Sequence, residues 1–290
     1  MRRKVSTEFW MILPALIVLV AITVFPFIYT VRLSFMHYPM IQIRSPEFIG
    51  LENWIRMFQD PKVRLYWMVT LKYVLGALSC QMILGILIAL LLNRLRILED
   101  LFTTLAISPM FFAPVLVGLL GRFLLHDSYG VYAYFLHQAG FFEKTSIFGH
   151  GTGALLALIG LDIWEWTPLI IIIVLAGLKA LPSEPFEAAS IDGATSWQRL
   201  WYLTLPMLRP VIFVALIIRT MDVMRYFTKI FITTRGGPAD ATKIVSIAVY
   251  DQAFQAYRMG YAATLTLSML IVTIVLGIVF VRFFFREIKE

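Results

Sequence analysis

A chain of 290 residues with a hydrophobic fraction of 60%, a mean hydropathy of +0.81 and a formal net charge of +7 lies far from the composition of a soluble domain and reads as an integral membrane protein. Its one cysteine, Cys80, excludes an intramolecular disulfide and a thiolate metal cluster, which leaves a small apolar packing residue. The positive charge suits anionic lipid headgroups, and no DNA- or RNA-binding motif makes nucleic acid a partner.

Apolar stretches predict six spans, at about 10–31, 68–92, 101–125, 154–180, 208–233 and 261–283, each near the roughly 20 residues a helix needs to cross a bilayer core. The fold class is therefore all-α: one polytopic membrane domain over residues 1–290, with no internal repeat or linker dividing it. The first stretch follows Arg2-Arg3-Lys4 but exceeds a signal core of about 7–15 residues, and Phe35-Met36-His37-Tyr38 after it offers no cleavage site. It is read as a retained helix. The long loop 36–67 carries an amphipathic pattern over 48–58 that predicts a short helix at the interface.

The third span contains Pro109 and Pro114, which predict a kink. The loop 126–153, rich in glycine with apolar residues between, predicts short interfacial helices and turns. Phe9, Trp10, Trp67 and Phe283-Phe284-Phe285 read as interface anchors. Lys and Arg near the span ends number eleven on the side of the termini and nine on the other, so orientation leans on the basic N-terminus flanking the first helix.

Residues 182–207 form a polar insertion between the fourth and fifth spans. Pro182 stops one helix, and Ser183 is a candidate N-cap for another with Glu184 and Pro185 in its first turn. Asp192-Gly193 is a turn signal, Gly193 being able to take positive φ. A second short helix over 195–203, closed by Leu205-Pro206, completes a helix–turn–helix elbow.

At these residues the chain resembles the inner-membrane permease subunits of binding-protein-dependent ABC importers. Their hallmark is Glu-Ala-Ala, three residues, Gly, nine residues, an aliphatic, one residue and Leu-Pro. Here Glu187-Ala188-Ala189, Gly193, Leu203 and Leu205-Pro206 meet that spacing, with Leu where Ile is commoner. Asp192-Gly193-Ala194 and Leu205-Pro206 followed by Pro210 resemble the carbohydrate class of maltose-, trehalose- and polyol-type permeases, as do Trp164-x-Trp166-Thr167-Pro168, Thr234-x-Gly236-Gly237-Pro238 and Gly260-Tyr261-Ala262-Ala263. The resemblance implies a coupling helix that docks on a separate ATPase dimer, with Glu187, Ala188, Ala189, Asp192, Gly193, Ala194, Leu205 and Pro206 forming the coupling segment. It implies that the elbow and both termini are cytoplasmic in a multi-pass protein of the bacterial inner (plasma) membrane. It also implies three partners: a second permease, the ATPases that bind ATP and Mg, and an extracytoplasmic solute-binding protein. A helix-initiating acid is the plainer account of Glu187.

The chain itself lacks a nucleotide motif and is not expected to be an enzyme or to hold a cofactor: Gly149-His150-Gly151-Thr152-Gly153 has no lysine. His126, His137 and His150 lack ligand spacing, so no metal is expected.

Charges inside spans need an interior or watery location, since each costs about 2.5–3.5 kcal/mol on insertion scales. Asp162 and Glu165, with Trp166, share one face of the fourth span; Arg219, Asp222, Arg225 and Lys229 recur at helical spacing on the fifth. They can neutralise one another across a helix interface, or they can line a path. Carboxylates accept from sugar hydroxyls, Arg donates to them, and Trp packs on a sugar face. By resemblance to maltose-type relatives the substrate pathway falls on Asp162, Glu165, Trp166, Arg219, Asp222 and Tyr226, although Thr228 replaces a frequent Asp. A sugar, oligosaccharide or polyol is the substrate so implied. An anionic sugar or glycerol phosphoester, met by Arg219, Arg225 and Lys229, is the alternative, and an ion-driven secondary transporter is a further one.

Overall fold

The structure, a computed structural model, describes residues 7–40, 45–95, 97–141 and 146–287, with side chains described from 11 to 282 within those ranges. Arg2, Arg3, Lys4, Arg44, Arg96, Lys144 and Lys289, and the side chains of Phe9, Trp10, Phe283, Phe284, Phe285 and Arg286, lie outside them. In chain order the helices are α1 (Thr7–Ser34), α2 (Glu52–Gln59), α3 (Pro61–Leu92), α4 (Glu99–Ile107), α5 (Pro114–Leu124), α6 (Val131–Gln138), α7 (Gly151–Lys179), α8 (Glu184–Ile191), α9 (Ser196–Arg199), α10 (Leu205–Val223), α11 (Thr228–Thr233), α12 (Val245–Tyr250) and α13 (Met259–Glu287). The only strands among the described residues, β1 (Met36–His37) and β2 (Glu47–Phe48), pair antiparallel, with Met36 opposite Phe48.

Among the described residues five helices are long and apolar enough to cross a membrane, and the bent pair Glu99–Phe111 and Pro114–Leu124 makes a sixth if it counts as one span. That pair turns by 93°, a break rather than the kink its prolines suggest. Phe112 and Ala113 are both extended (ψ 137° and 136°), as expected of Ala113, whose helical conformation is disfavoured by the proline that follows. The fifth predicted span also differs. It runs back through the elbow as one helical stretch, Ser196–Val223, and stops before α11. Leu205-Pro206 does not close a helix. A wide turn over Leu200–Thr204, with Leu205 N–H bonded to Leu200 O, carries the chain into α10 and gives the Pro206 ring room.

The chain divides into two compact units, one of residues 1–65 and 248–272, the other of residues 66–247 and 273–290. In the first, Asn53 on α2 donates to the Ser34 and Met36 carbonyls (3.1 and 3.0 Å), and Thr264 Oγ1 donates to Ser34 O (3.2 Å). These bonds satisfy carbonyls that the end of α1 would otherwise leave open. α2 is the amphipathic helix that the sequence predicts, burying Asn53 and Met57.

In the second unit the core lies where the C-terminal halves of α3 and α7 meet the start of α10, through Ala89, Leu92, Ile170, Ile171, Val174, Leu175, Leu178, Leu208 and Ala215. Apolar side chains gain little from leaving lipid, so close backbone approach supplies the attraction. A Cβ at Gly85 would sit 2.6 Å from Ile170 Cβ, and one at Gly177 2.8 Å from Val211 Cγ1. Cys80 is exposed on α3 and is not the interior packing residue its apolar setting implies. Gly85→Val therefore overpacks the α3–α7 contact and is expected to cost about 1–3 kcal/mol. Gly160→Ala, on α7 with nothing within 4 Å of the new methyl, is expected to be neutral or stabilising. Thermal unfolding of the detergent-solubilised chain separates the two.

Candidate functional site

Two features carry chemistry. The first is a buried polar seam in the second unit, where α3, α7, α10 and α11 converge. Asp162 of α7 is its hub. Its Oδ2 accepts from Gln81 Nε2 (2.9 Å) and Arg219 Nη2 (2.5 Å), and its Oδ1 accepts from Lys229 Nζ (3.0 Å). Arg219 spends its fork on three partners: Nη2 on Asp162, Nε on Gln81 Oε1 (2.8 Å) and Nη1 on Asp222 Oδ2 (2.5 Å). Lys229 also meets Glu165 Oε2 at 2.5 Å, the oxygen to which the Tyr226 hydroxyl donates at 3.2 Å. The cations lie over rings as well, Arg219 5.0 Å from Trp166 and Lys229 4.8 Å from Tyr226.

Gln81, Asp162, Arg219 and Lys229 are fully buried and Glu165 is 1% exposed. The two carboxylates and two cations balance, which is how four ionisable groups remain inside a membrane chain. Asp222 is the surplus anion and keeps 37% of its side-chain surface. Of the six pathway residues named from sequence, the structure brings all into one neighbourhood: Asp162 and Glu165 on α7 beside Trp166, Arg219 and Asp222 on α10, and Tyr226 in the segment before α11. Asp222 and Trp166 retain accessible surface, whereas the other four are buried. Arg225 is exposed and makes none of the cluster's side-chain bonds.

Three members were not placed in the pathway from sequence. Lys229 was read as a fifth-span charge and as a contact for the alternative anionic substrate. Gln81 was missed, although an amide amid the apolar run of α3 is a signal that could have found it. Tyr73 lies two helical turns earlier on the same face, fully buried, its ring 6.5 Å from that of Tyr226.

The segment between α10 and α11 has no Gly or Pro to break the helix. Instead the Tyr226 carbonyl is taken by Ser246 Oγ (2.6 Å), and Lys229 is drawn to Asp162 and Glu165. Tertiary bonds fix the break.

The second feature is the elbow. α8 begins at Glu184 with Pro185 in its first turn, but Ser183 is helical (φ −79°, ψ −27°) and makes no side-chain cap bond. Its hydroxyl therefore cannot reach the first free N–H groups, and the N-cap expectation fails. The C-terminus is fully closed. Gly193 adopts φ +76°, Ala194 N–H donates to Ala189 O (2.9 Å) and Gly193 N–H donates to Ser190 O (3.2 Å), the paired bonds of a Schellman ending. Thr195 then starts α9 with a reciprocal capping box: its backbone N–H reaches Gln198 Oε1 (2.8 Å), and Gln198 N–H reaches Thr195 Oγ1 (3.3 Å). Arg199 Nη1 donates to Ser190 Oγ (3.1 Å), tying α9 to α8. Glu187, Ala188, Asp192 and Gly193 are exposed, Ala189 and Ala194 half-buried, and Leu205 and Pro206 half-buried within the helix leaving the elbow. Ile191 is 87% exposed and Tyr202 78%, with Trp197 and Trp201 also outward.

Two of the three histidines of the loop 126–153, His126 and His150, have local duties. His126 stacks on Tyr129 at 3.8 Å, and His150 Nδ1 accepts from Gly153 N–H to cap α7 (3.4 Å). Among the described residues no group of three His, Cys, Asp or Glu side chains is placed to hold a metal ion.

A helical membrane chain with a polar seam between spans and a preformed elbow on one side is, in class, a transport permease. The chain belongs to the family described as binding-protein-dependent transport system inner membrane component, matched over residues 81–289. It is 34% identical over 278 residues to a probable ABC transporter permease protein, y4oQ, of Sinorhizobium fredii, covering 96% of this chain and 89% of the relative. It is 31% identical over 276 residues to the trehalose/maltose transport system permease protein MalF of Thermococcus litoralis, covering 95% and 92%. The fold is shared with a chain in the crystal structure of a bacterial alginate ABC transporter in complex with alginate pentasaccharide-bound periplasmic protein, with TM-score 0.80, 23% identity and coverage of 94% of this chain and 92% of that one.

Breaking the seam one partner at a time strands a charge. Asp162→Asn is expected to destabilise the solubilised chain by about 3–5 kcal/mol. Glu165→Leu combined with Lys229→Met is expected to be tolerated better than Glu165→Leu alone, a double-mutant cycle that denaturation midpoints can close.

Proposed function

We propose that this chain is one half of the pore of an importer for a neutral sugar, oligosaccharide or polyol, working with a second permease, an ATPase dimer and an extracytoplasmic solute-binding protein. The elbow carries this reading. It is folded by its own hydrogen bonds, exposes Glu187 beside an outward Ile191, and passes straight into the helix that bears Arg219 and Asp222. Force applied at α8 is thereby delivered to the seam. The elbow faces the cytoplasm, where the ATPases bind ATP and Mg, and alternating spans put both termini on that side.

Substrate passes along the seam once α10 and α11 draw away from α7. Closed, Asp162 and Glu165 are bonded to Arg219 and Lys229. Opened, the same groups offer acceptors and donors to sugar hydroxyls, and the Trp166 ring, freed of Arg219, packs on a sugar face. Neutral substrate is favoured over an anionic one because the buried cations are matched by buried carboxylates and the residual charge, on Asp222, is negative. The trehalose/maltose transport role of the Thermococcus relative supports a sugar.

Gly193→Pro cannot hold φ +76°, and with Glu187→Lys it is expected to lower substrate-stimulated ATP turnover of the assembled importer at least fivefold. Unchanged turnover and uptake in both variants overturn the coupling role. Asp222→Ala, half-exposed and outside the buried quartet, is expected to reduce uptake while leaving assembly intact. Loss of assembly alone assigns the charges to joining helices.

A further inference from the structure

A cavity of about 150 Å³ lies in the first unit, where α1 ends and α13 begins, lined by Met36, His37, Tyr38, Pro39, Asn53, Arg56, Arg258, Gly260 and Tyr261. Among the described lining residues none is acidic, two are arginines and one is a histidine. Glu47 stands across the ladder from His37 but does not line the cavity.

The walls are built rather than incidental. Met40 N–H donates to Tyr257 O (2.9 Å) and Met259 N–H to Tyr38 O (3.1 Å), which laces the chain after β1 to the start of α13 and the residues just ahead of it. Tyr257 sits at φ +53°, turning the backbone just ahead of Arg258. A Cβ at Gly260 would come within 1.9 Å of Met36 O, so the two backbones meet where only glycine fits. The Arg56 guanidinium lies 5.4 Å from the centre of the Tyr261 ring, which holds it at the cavity.

A separate observation says what reaches it. Leu51 at the N-cap of α2 and Ile55 and Phe58 within it fall at i, i+4 and i+7 and are 60%, 54% and 74% exposed, while Asn53 and Met57 on the other side are buried. Such a stripe on a short helix at the ends of two spans places α2 along the membrane interface, apolar face toward the acyl chains. The arginines are then at headgroup depth. Guanidinium forks match phosphate oxygens, and a site with no carboxylate among its described lining residues disfavours a headgroup that carries its own ammonium.

We propose that this cavity binds the phosphodiester of an anionic membrane phospholipid. The assignment is independent of the substrate pathway. It is tested on the assembled importer, delipidated in detergent and titrated with dioleoylphosphatidylglycerol or dioleoylphosphatidylcholine, with bound lipid counted by native mass spectrometry. The wild type is expected to retain phosphatidylglycerol over phosphatidylcholine at the first bound equivalent. The Arg56→Gln, Arg258→Gln double variant is expected to lose that preference, with phosphatidylglycerol retention down at least fivefold. Arg258→Gln alone serves if the double variant fails to assemble, since Arg258 secures the fold through its backbone, N–H to Gln252 O (2.7 Å); at least a twofold loss is expected. Unchanged retention in the variants overturns the proposal. So does displacement of the lipid by equimolar inorganic phosphate, which would mark a free-anion site. Retained lipid with lost stimulation by the solute-binding protein overturns it too, in favour of a protein-docking surface.

Discussion

Asp162 is the group on which the membrane core depends. A carboxylate there is tenable only because Gln81, Arg219 and Lys229 arrive from three other helices, and those cations are tenable only because of Asp162 and Glu165. No member can be placed alone, so the seam fixes the relative register of α3, α7, α10 and α11 more sharply than the aliphatic contacts around it. Leucine against isoleucine tolerates a slide of an ångström or so, whereas a charge-assisted hydrogen bond in a medium of low dielectric does not.

The elbow is governed by the opposite economy. Its bonds are local: a Schellman ending, a capping box and the Arg199–Ser190 contact join residues within about three helical turns. The bonds that shape it lie within it, and Ile191, Trp197, Trp201 and Tyr202 remain outward while Phe186 is half-buried. An element that is rigid before it meets a partner loses little entropy on being gripped.

Sequence periodicity and length placed the long helices α1, α3, α7 and α13 because bilayer thickness leaves few alternatives. The elbow was legible in part for the same local reason that it is stable: Asp192-Gly193 announces a turn whose partners are close in sequence, whereas the Thr195–Gln198 capping box was not read and neither the Ser183 cap nor the Leu205-Pro206 stop is realised. The break at Phe112–Ala113 was half-legible, since the prolines announced a disturbance but not a 93° turn. The break before α11 was invisible, for Met224–Phe227 contains no breaker and its geometry is imposed by Ser246, Asp162 and Glu165 from elsewhere in the unit. In the seam, spacing revealed which charges share a face. Only the structure shows that Arg225 points away and that Gln81 and Tyr73 of α3 complete the set.

The stretch Ser196–Val223 has a mechanical consequence. At 28 residues it is a rod roughly 42 Å long, with the elbow at one end and Arg219 and Asp222 near the other. Pivoted near one end, a tilt of about five degrees sweeps the far tip by about 3.5 Å over that length, more than the reach of any bond Arg219 makes. Small angular strokes are thus amplified into an all-or-nothing change in which ions touch, and the widened turn at Leu200–Thr204, just ahead of Pro206, is the place where such a rod would flex and lose throw.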